Sequence, residues 1–367
     1  MSNKPRVIAF YLPQFHPIPE NDKWWGKGFT EWTNVGKAKS LFPGHYQPRV
    51  PADLGYYDLR VPEVREEQAR LARDAGIEGF CYWHYYFGHG KRLLEQPIME
   101  VVRTGKPDFP FCLGWANEPW KKKLWNKDSV GDELLIEQEY GGQQDFIQHF
   151  YTILPILKDK RYIKVDGKLL FLIYKPLNFD DCSQFISCWR NLAREEGIEG
   201  IHFVAHATSG EKGFEKYFNM GFDAVYTNRV ANAALGYQRN PFLTLKNIFL
   251  KVFRFPRIVN YNSVIQHSYN EKDKEEFLYP GIICGWDHTP RSGRKGYLFS
   301  NFSVAKFHEH AKRQISLVEK KQQDHQIVFL KSWNEWGEGN FMEPDLRWGH
   351  GLLDALLAAT DNRQQTT

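Results

Sequence analysis

The chain has 367 residues, 42% hydrophobic and 25% charged, the balance of an ordinary soluble globular protein. Its net charge of +4 is too small to argue for a nucleic-acid partner. Aromatic residues depart from the ordinary: 12 Trp, 18 Tyr and 27 Phe suffice for a large core, or for stacking platforms under sugar rings, which are apolar on their faces and polar at their edges.

The apolar run 6–12 (RVIAFYL) predicts a first strand, followed by a long connection over 13–61. A helix is expected over 62–75, with Pro62 near its start, acids in its first turns and Gly76 as its stop. Strand 79–86 (GFCYWHYY) and helix 91–104 follow, then strand 109–115 (FPFCLGW), a long connection over 116–142 and helix 143–158. The pattern continues with strand 169–175, helix 181–196, strand 201–207, helix 211–220 and strand 223–228. Beyond a third long connection, 229–280, come strand 281–287, helix 303–321, strand 327–333 and a helix over 351–359. Eight near-continuous apolar runs are what parallel strands buried on both faces require. Their alternation with helices predicts an α/β fold, a (β/α)8 TIM barrel with long βα loops. It forms one catalytic domain over 1–360, with a disordered tail at 361–367.

The five cysteines, Cys81, Cys112, Cys182, Cys188 and Cys284, contain no CxxC and read as small hydrophobes, which favours a reducing compartment. The first apolar run is cut by Pro13, too short for a signal peptide, and no stretch of about 18 apolar residues occurs. A cytoplasmic protein is expected. Within 242–257 (FLTLKNIFLKVFRFPR), Leu245, Ile248, Phe249, Val252 and Phe253 fall at helical spacing, with basic residues outside the stripe. An ordinary amphipathic helix packed on the barrel is the favoured reading. A peripheral contact with the inner face of an anionic membrane is the alternative.

Barrel active sites lie where strands end. Tyr11 ends the first strand. Trp25, Phe29, Glu31 and Trp32 crowd the loop behind it, as a sugar-subsite wall or as a packed cap. His84 and Tyr85 end the second; His84 and His89 stand five apart, a poor metal spacing, and a hydrogen bond to a sugar hydroxyl or a structural role suits His84 better. Trp115, Asn117, Glu118 and Trp120 follow the third strand. Asp287, His288 and Arg291 follow the seventh, where Asp287 orients substrate or binds Arg291. Asn334, Glu335, Trp336 and Glu338 follow the eighth. No Walker motif, GxGxxG, GxSxG or DxD occurs, so neither a cofactor nor a metal is expected.

The stretch KSWNEWGEGN, 331–340, carries the sharpest signal. On a strand, Glu335 and Glu338 would face opposite ways. Gly337 and Gly339 free the backbone to turn, and in a helical turn residues three apart bring their Cβ atoms to about 5–6 Å. Retaining glycosidases set their two carboxyls about 5–5.5 Å apart and inverting ones about 6.5–9.5 Å. Two such carboxylates repel, so one pKa rises and that group serves as acid. Two alternatives stand beside the pair: one catalytic and one structural glutamate, or Glu118 as the acid with Glu335 as its partner.

The motifs FYLPQFHPIPENDKWWGKGFTEWTNV, GFCYWHYYFGHG, FPFCLGWANEPW, GWDHTPR and WNEWGEGNFMEPD resemble those of WbsX-type proteins, which occur among bacterial surface-polysaccharide genes and are similar to glycoside hydrolase family 99. The resemblance runs from about 6 to 354. It implies a (β/α)8 barrel acting on α-mannosidic bonds with retention, through a Glu-Trp-x-Glu motif matched by EWGE at 335–338. By that resemblance Glu335 is the base on the sugar 2-hydroxyl and Glu338 the acid on the leaving oxygen, with no metal. GEGNFMEPD lacks the His that commonly follows the Trp in family 99, so the sugar need not be mannose. The reading is a retaining hydrolase or transglycosylase acting on surface polysaccharide or lipopolysaccharide O-antigen glycans. A nucleotide-sugar glycosyltransferase and a non-catalytic carbohydrate-binding barrel are the alternatives.

Overall fold

The computed structural model describes residues 4–123, 132–207, 211, 213–229 and 255–361. Most of the amphipathic segment 242–257 and nearly all of the tail lie outside the described residues.

Eight parallel strands close into a ring. They are β1 (Arg6–Tyr11), β2 (Ile77–Tyr86), β3 (Phe111–Trp115), β4 (Lys168–Ile173), β5 (Ile201–His206), β6 (Ala224–Tyr226), β7 (Leu278–Tyr279 and Gly281–Ile283) and β8 (Ile327–Lys331). Each pairs with the next, and β8 pairs back onto β1, Arg6 opposite Ile327 and Ala9 opposite Leu330. β7 is in two pieces because Pro280 has no N–H to give the ladder. The first piece pairs with β6 and the second with β8, while the Pro280 carbonyl accepts from Phe329 N at 3.0 Å. The ring is a (β/α)8 barrel, with the helices expected from the sequence lying between its strands.

The strands are buried on both faces. Val7, Ile8, Ala9, Leu170 and Phe171 are all inaccessible. Alternate residues point into the barrel and out to the helices. Outside, Trp189 of helix Cys182–Glu195 packs on Phe150, Phe171 and Phe185, and its indole donates to Phe146 O at 3.0 Å. Burial of one such side chain contributes about 1.5–3 kcal/mol.

Elements depart from expectation where glycine intervenes. Gly88 and Gly90, both at positive φ, turn the chain back so that Arg92–Leu93 pairs with the end of β2, and the helix starts only at Gln96. Gly285 at φ 117° lies just beyond β7, which ends at Ile283 instead of 287. The long connections carry structure of their own: helices Pro19–Trp25 and Glu31–Gly36, the hairpin Trp120–Lys123 with Asp132–Ile136, and helix Tyr261–Ser268. The first two helices and the hairpin lie over the C-terminal mouth of the barrel and form walls of its cleft.

Candidate active site

The mouth holds a cleft of about 990 Å³, at the upper end of the roughly 300–1,000 Å³ usual for ligand sites. Its floor is aromatic. Phe10, Trp83, Tyr174, His206, Tyr226 and Phe329 touch in a closed ring around the barrel axis, neighbouring centroids 4.7–5.4 Å apart. Phe10, Trp83, Tyr174 and His206 face the cleft directly. Gly114 makes room for this layer, since a Cβ there would stand 3.2 Å from the Trp83 ring.

EWGE is the tip of a tight hairpin. Asn334–Glu335 pairs antiparallel with Asn340–Phe341, and Trp336–Glu338 forms one 3-10 turn between them. Gly339 closes it at φ 58°, and Gly337 is required by space: a Cβ there would collide with the Glu31 carboxylate. The turn aims both Glu335 and Glu338 into the cleft.

One arginine gathers the acids. Arg291 donates from Nη2 to Glu335 Oε1 at 2.7 Å, from Nη1 to Glu338 Oε1 at 2.6 Å, and from Nε to Glu31 Oε2 at 3.1 Å. Two oxygens bound to the terminal nitrogens of one guanidinium lie at most roughly 7–8 Å apart, within the range of glycosidase carboxyl pairs. Burial disfavours charge at both glutamates. At Glu335 it prevails over Arg291, helped by repulsion from Glu338 and Glu31, and the pKa is pushed up to about 7. At Glu338, Arg291, His288 and Lys331 outweigh burial and hold the pKa below the usual carboxylate value. His288 Nε2 stands 3.5 Å from Glu338 Oε1. Of the two, Glu335 therefore holds a proton more readily than Glu338.

A buried frame holds the hairpin. The Asn334 side chain accepts from Leu12 N at 2.7 Å and donates to Leu12 O at 3.0 Å, lacing the end of β8 to the end of β1. Trp336 stacks on Phe341 at 3.7 Å and donates to Glu343. Glu343 also receives Tyr57 Oη at 2.9 Å and Gln68 Nε2 at 2.6 Å. Burial pushes Glu343 up to about 7 against these hydrogen bonds. Asp287 accepts from Gln47 Nε2 at 2.7 Å and Thr289 Oγ1 at 2.7 Å and pairs with His45 at 2.9 Å, while its backbone N–H donates to Glu338 O at 2.6 Å. Burial opposes its charge, but His45, Arg49, Thr289 and Gln47 prevail and hold it at about 2.

Of the residues expected to touch substrate, Trp25, Tyr85 and Glu118 line the cleft with Glu335 and Glu338. The others lie behind it. Tyr11 points outward to Gln68 Oε1 at 2.7 Å, and its neighbour Phe10 faces the cleft instead. His84 and Trp115 are on the outer faces of β2 and β3; His84 meets His149 at 2.8 Å, and Trp115 donates to Tyr86 O. Burial lowers His84 to about 3, the value of a neutral core imidazole. Asn117 braces the turn after β4, accepting from Lys175 N at 2.7 Å and donating to Lys175 O. Trp32 donates to Tyr57 O and packs on Trp336 at 5.4 Å, as a cap rather than a wall. Asn334, Trp336 and Asp287 serve the frame, and Asp287 does not bind Arg291. Sequence reasoning missed Phe10, Trp83, Tyr174, His206 and Lys331 as lining residues. The parity of β2 was the available signal: with Tyr85 inward, Trp83 is inward and His84 outward.

The class this defines is that of the (β/α)8 barrels, here with two carboxyls in the mouth above an aromatic floor. The family model described as "Glycosyltransferase WbsX" matches residues 7–356, and the chain belongs to that family. It is 38% identical over 360 residues to "Uncharacterized protein WxcX" from two strains of Xanthomonas campestris pv. campestris. The match covers 96% of this chain but 49% of those proteins, so the chain spans about half the length of the curated relatives it matches. Among solved structures, a "Glycoside hydrolase-like protein" is similar at TM-score 0.59 and 15% identity, covering 98% of this chain and 94% of that one. The GH99 endo-alpha-mannosidase from Bacteroides thetaiotaomicron, in complex with BIS-TRIS-propane, is similar at TM-score 0.57 and 15% identity, covering 97% and 95%. At that identity the likeness is one of fold.

Proposed function

We propose that the chain is a retaining glycoside hydrolase or transglycosylase, family 99-like, acting on bacterial surface polysaccharide or lipopolysaccharide O-antigen glycans. The observation that carries this reading is the Glu335–Glu338 pair, both carboxyls bound to one guanidinium above an aromatic floor. A sugar ring lies with its apolar face on Trp83 or Phe10 and its anomeric carbon beside the pair. By the family resemblance, Glu335 takes the proton of the 2-hydroxyl. O2 then attacks C1, the glycosidic bond breaks, and Glu338 gives its proton to the leaving oxygen. Glu338, now ionised, takes a proton from water or an acceptor hydroxyl, which opens the anhydro-sugar at C1 and returns the proton on Glu335 to O2. An acceptor sugar in place of water turns hydrolysis into transfer, in keeping with the family's description.

The surroundings favour the opposite division of labour, since burial and the neighbouring carboxylates make Glu335 the more readily protonated of the two. The test uses the wild type, Glu335→Gln and Glu338→Gln on a bacterial polysaccharide panel with product analysis by mass spectrometry. Both variants should lose turnover by about 10²–10⁴-fold while still binding glycan, and full activity in both would overturn the reading. Glycosyl fluorides, whose leaving group needs no proton, separate the roles. If Glu338 is the acid, Glu338→Gln alone keeps bond cleavage with them. If Glu335 is the acid, Glu335→Gln does.

A further inference from the structure

Arg291 by itself treats Glu335 and Glu338 alike: each carboxylate takes one terminal nitrogen, at 2.7 and 2.6 Å. What stands beside each glutamate differs. The third carboxylate on the guanidinium, that of Glu31, lies on the Glu335 side. Its Oε2 is 3.1 Å from Nε and 3.0 Å from Nη2, the same Nη2 that donates to Glu335 Oε1. Two oxygens held by one nitrogen are at most roughly 6 Å apart, close enough for like charges to act on each other. On the other side, His288 Nε2 stands 3.5 Å from Glu338 Oε1.

An ion pair does not need this third carboxylate. Glu335 and Glu338 together already exceed the charge of one guanidinium, and a further buried anion is unfavourable on its own account. Yet Glu31 is firmly built in. It is 3% exposed, it opens helix Glu31–Gly36, and its neighbour Trp32 packs on Trp336 of EWGE. A Cβ at position 337 would collide with Glu31 Oε2 and stand 3.0 Å from Arg291 Nε, so the Glu31–Arg291 contact runs directly over the glycine of EWGE. The loops after β1, β7 and β8 meet in that contact.

The other groups facing Glu335 do not tell the two glutamates apart. The Lys331 ammonium favours the charged form of both. The hydroxyls of Tyr85 and Tyr174 stay neutral, since burial pushes both well above the usual value, and Glu118 acts on those tyrosines from the same cleft. Glu31 disfavours charge at Glu335, whereas His288 favours it at Glu338.

We propose that Glu31 is a positioning residue of the proposed reaction: it braces Arg291 between the two glutamates and, from its place beside Glu335, makes the pair unequal, so that a proton is kept on Glu335 in preference to Glu338. This inference rests on the two glutamates being the reacting carboxyls and adds what sets them apart.

The test is a carboxyl-carbon NMR titration of the whole chain with isotope-labelled glutamate. The Glu335 and Glu338 signals are identified by their loss in Glu335→Gln and Glu338→Gln. Glu31→Gln keeps an oxygen for Arg291 Nε and removes only the charge. In it Glu335 should titrate about one pH unit or more below the wild type, with Glu338 moving less, and the limb of the kcat–pH profile set by Glu335 should move down with it. Glu31→Asp keeps the charge on a shorter stem, and its Glu335 should titrate closer to the wild type than that of Glu31→Gln. A brace without an electrostatic role would change the melting temperature alone. An unmoved Glu335, equal movement of both glutamates, or an Asp variant that behaves as the Gln variant does overturns the inference. Turnover on the polysaccharide panel keeps the two readings apart. If Glu335 titrates as expected but Glu335→Gln and Glu338→Gln keep full activity, the proposed function fails and the inequality of the pair stands. If both lose turnover while Glu31→Gln leaves the Glu335 titration in place, the function stands and the role of Glu31 fails.

Discussion

Replacing Arg291 with Met keeps an unbranched apolar stem and removes the guanidinium that binds all three carboxylates. The wild-type contacts are charge-assisted hydrogen bonds of 2.6, 2.7 and 3.1 Å. Breaking a buried ion pair on one side costs about 3–5 kcal/mol. For a chain of 367 residues, an unfolding entropy of about 2.1 cal/mol/K per residue converts this to a fall in melting temperature of roughly 4–6 °C. The pH dependence is the sharper signature. In the wild type, Glu338 has a folded pKa below its ordinary value, so its contribution is present above that value and lost as pH falls. Without Arg291, burial and the neighbouring glutamates prevail, and the folded pKa of Glu338 rises above its unfolded one. The folded variant then binds more protons than the unfolded chain in weak acid, and its stability falls as pH rises. The gap between wild type and variant should therefore be widest near pH 8 and narrow toward pH 5. Thermal melts of both proteins at intervals across that range read it directly. A gap that stays constant with pH would mean that Arg291 acts by packing alone, and the electrostatic account of the pair would be wrong.

Gly337→Ala forces the Glu31 carboxylate away from Arg291; kcat should fall while glycan binding, read by array, changes little, and an unaltered kcat would show that Glu31 is a bystander. Glu343→Gln removes a carboxyl whose pKa burial has raised to about 7. The stability this group gives in acid is lost as pH rises from about 4.3 toward 7, so melts of the variant should decline less steeply between pH 5 and 8, and parallel curves would refute the assignment. Trp25 is 41% exposed at the cleft and stacks on Phe29 at 5.6 Å. Trp25→Ala should weaken glycan affinity roughly tenfold, about 1.4 kcal/mol, with the melting temperature unchanged; loss of stability without loss of affinity would make it a cap residue.

The barrel was legible because parallel strands covered on both sides leave long apolar runs, and all eight were located to within four residues at either end. That same continuity hid which side chains face inward. In a half-exposed strand, polarity alternates and reveals the parity; in GFCYWHYY it does not. Hence Tyr11, His84 and Trp115 were read as cleft residues one position away from Phe10, Trp83 and Tyr85, or on the wrong face. The acid pair was legible because two glycines between and beside glutamates announce a turn. Arg291 as its common partner was not, because it comes from the loop after β7, 44 residues before Glu335 along the chain. Asn334 and Trp336 were conspicuous for another reason: they hold the turn that carries the glutamates.

The Asn334–Leu12 lacing joins the first barrel strand to the segment after the last. On a ribosome, β1 emerges long before its partner β8, and its outer edge has no ladder to join until residues 327–331 follow. The hairpin that carries Glu335 and Glu338, its anchoring amide and the closing strand emerge together, after the other seven strands. The carboxyl pair in the mouth is thereby tied to closure of the ring, and a nascent chain stalled before residue 327 holds an open sheet without it.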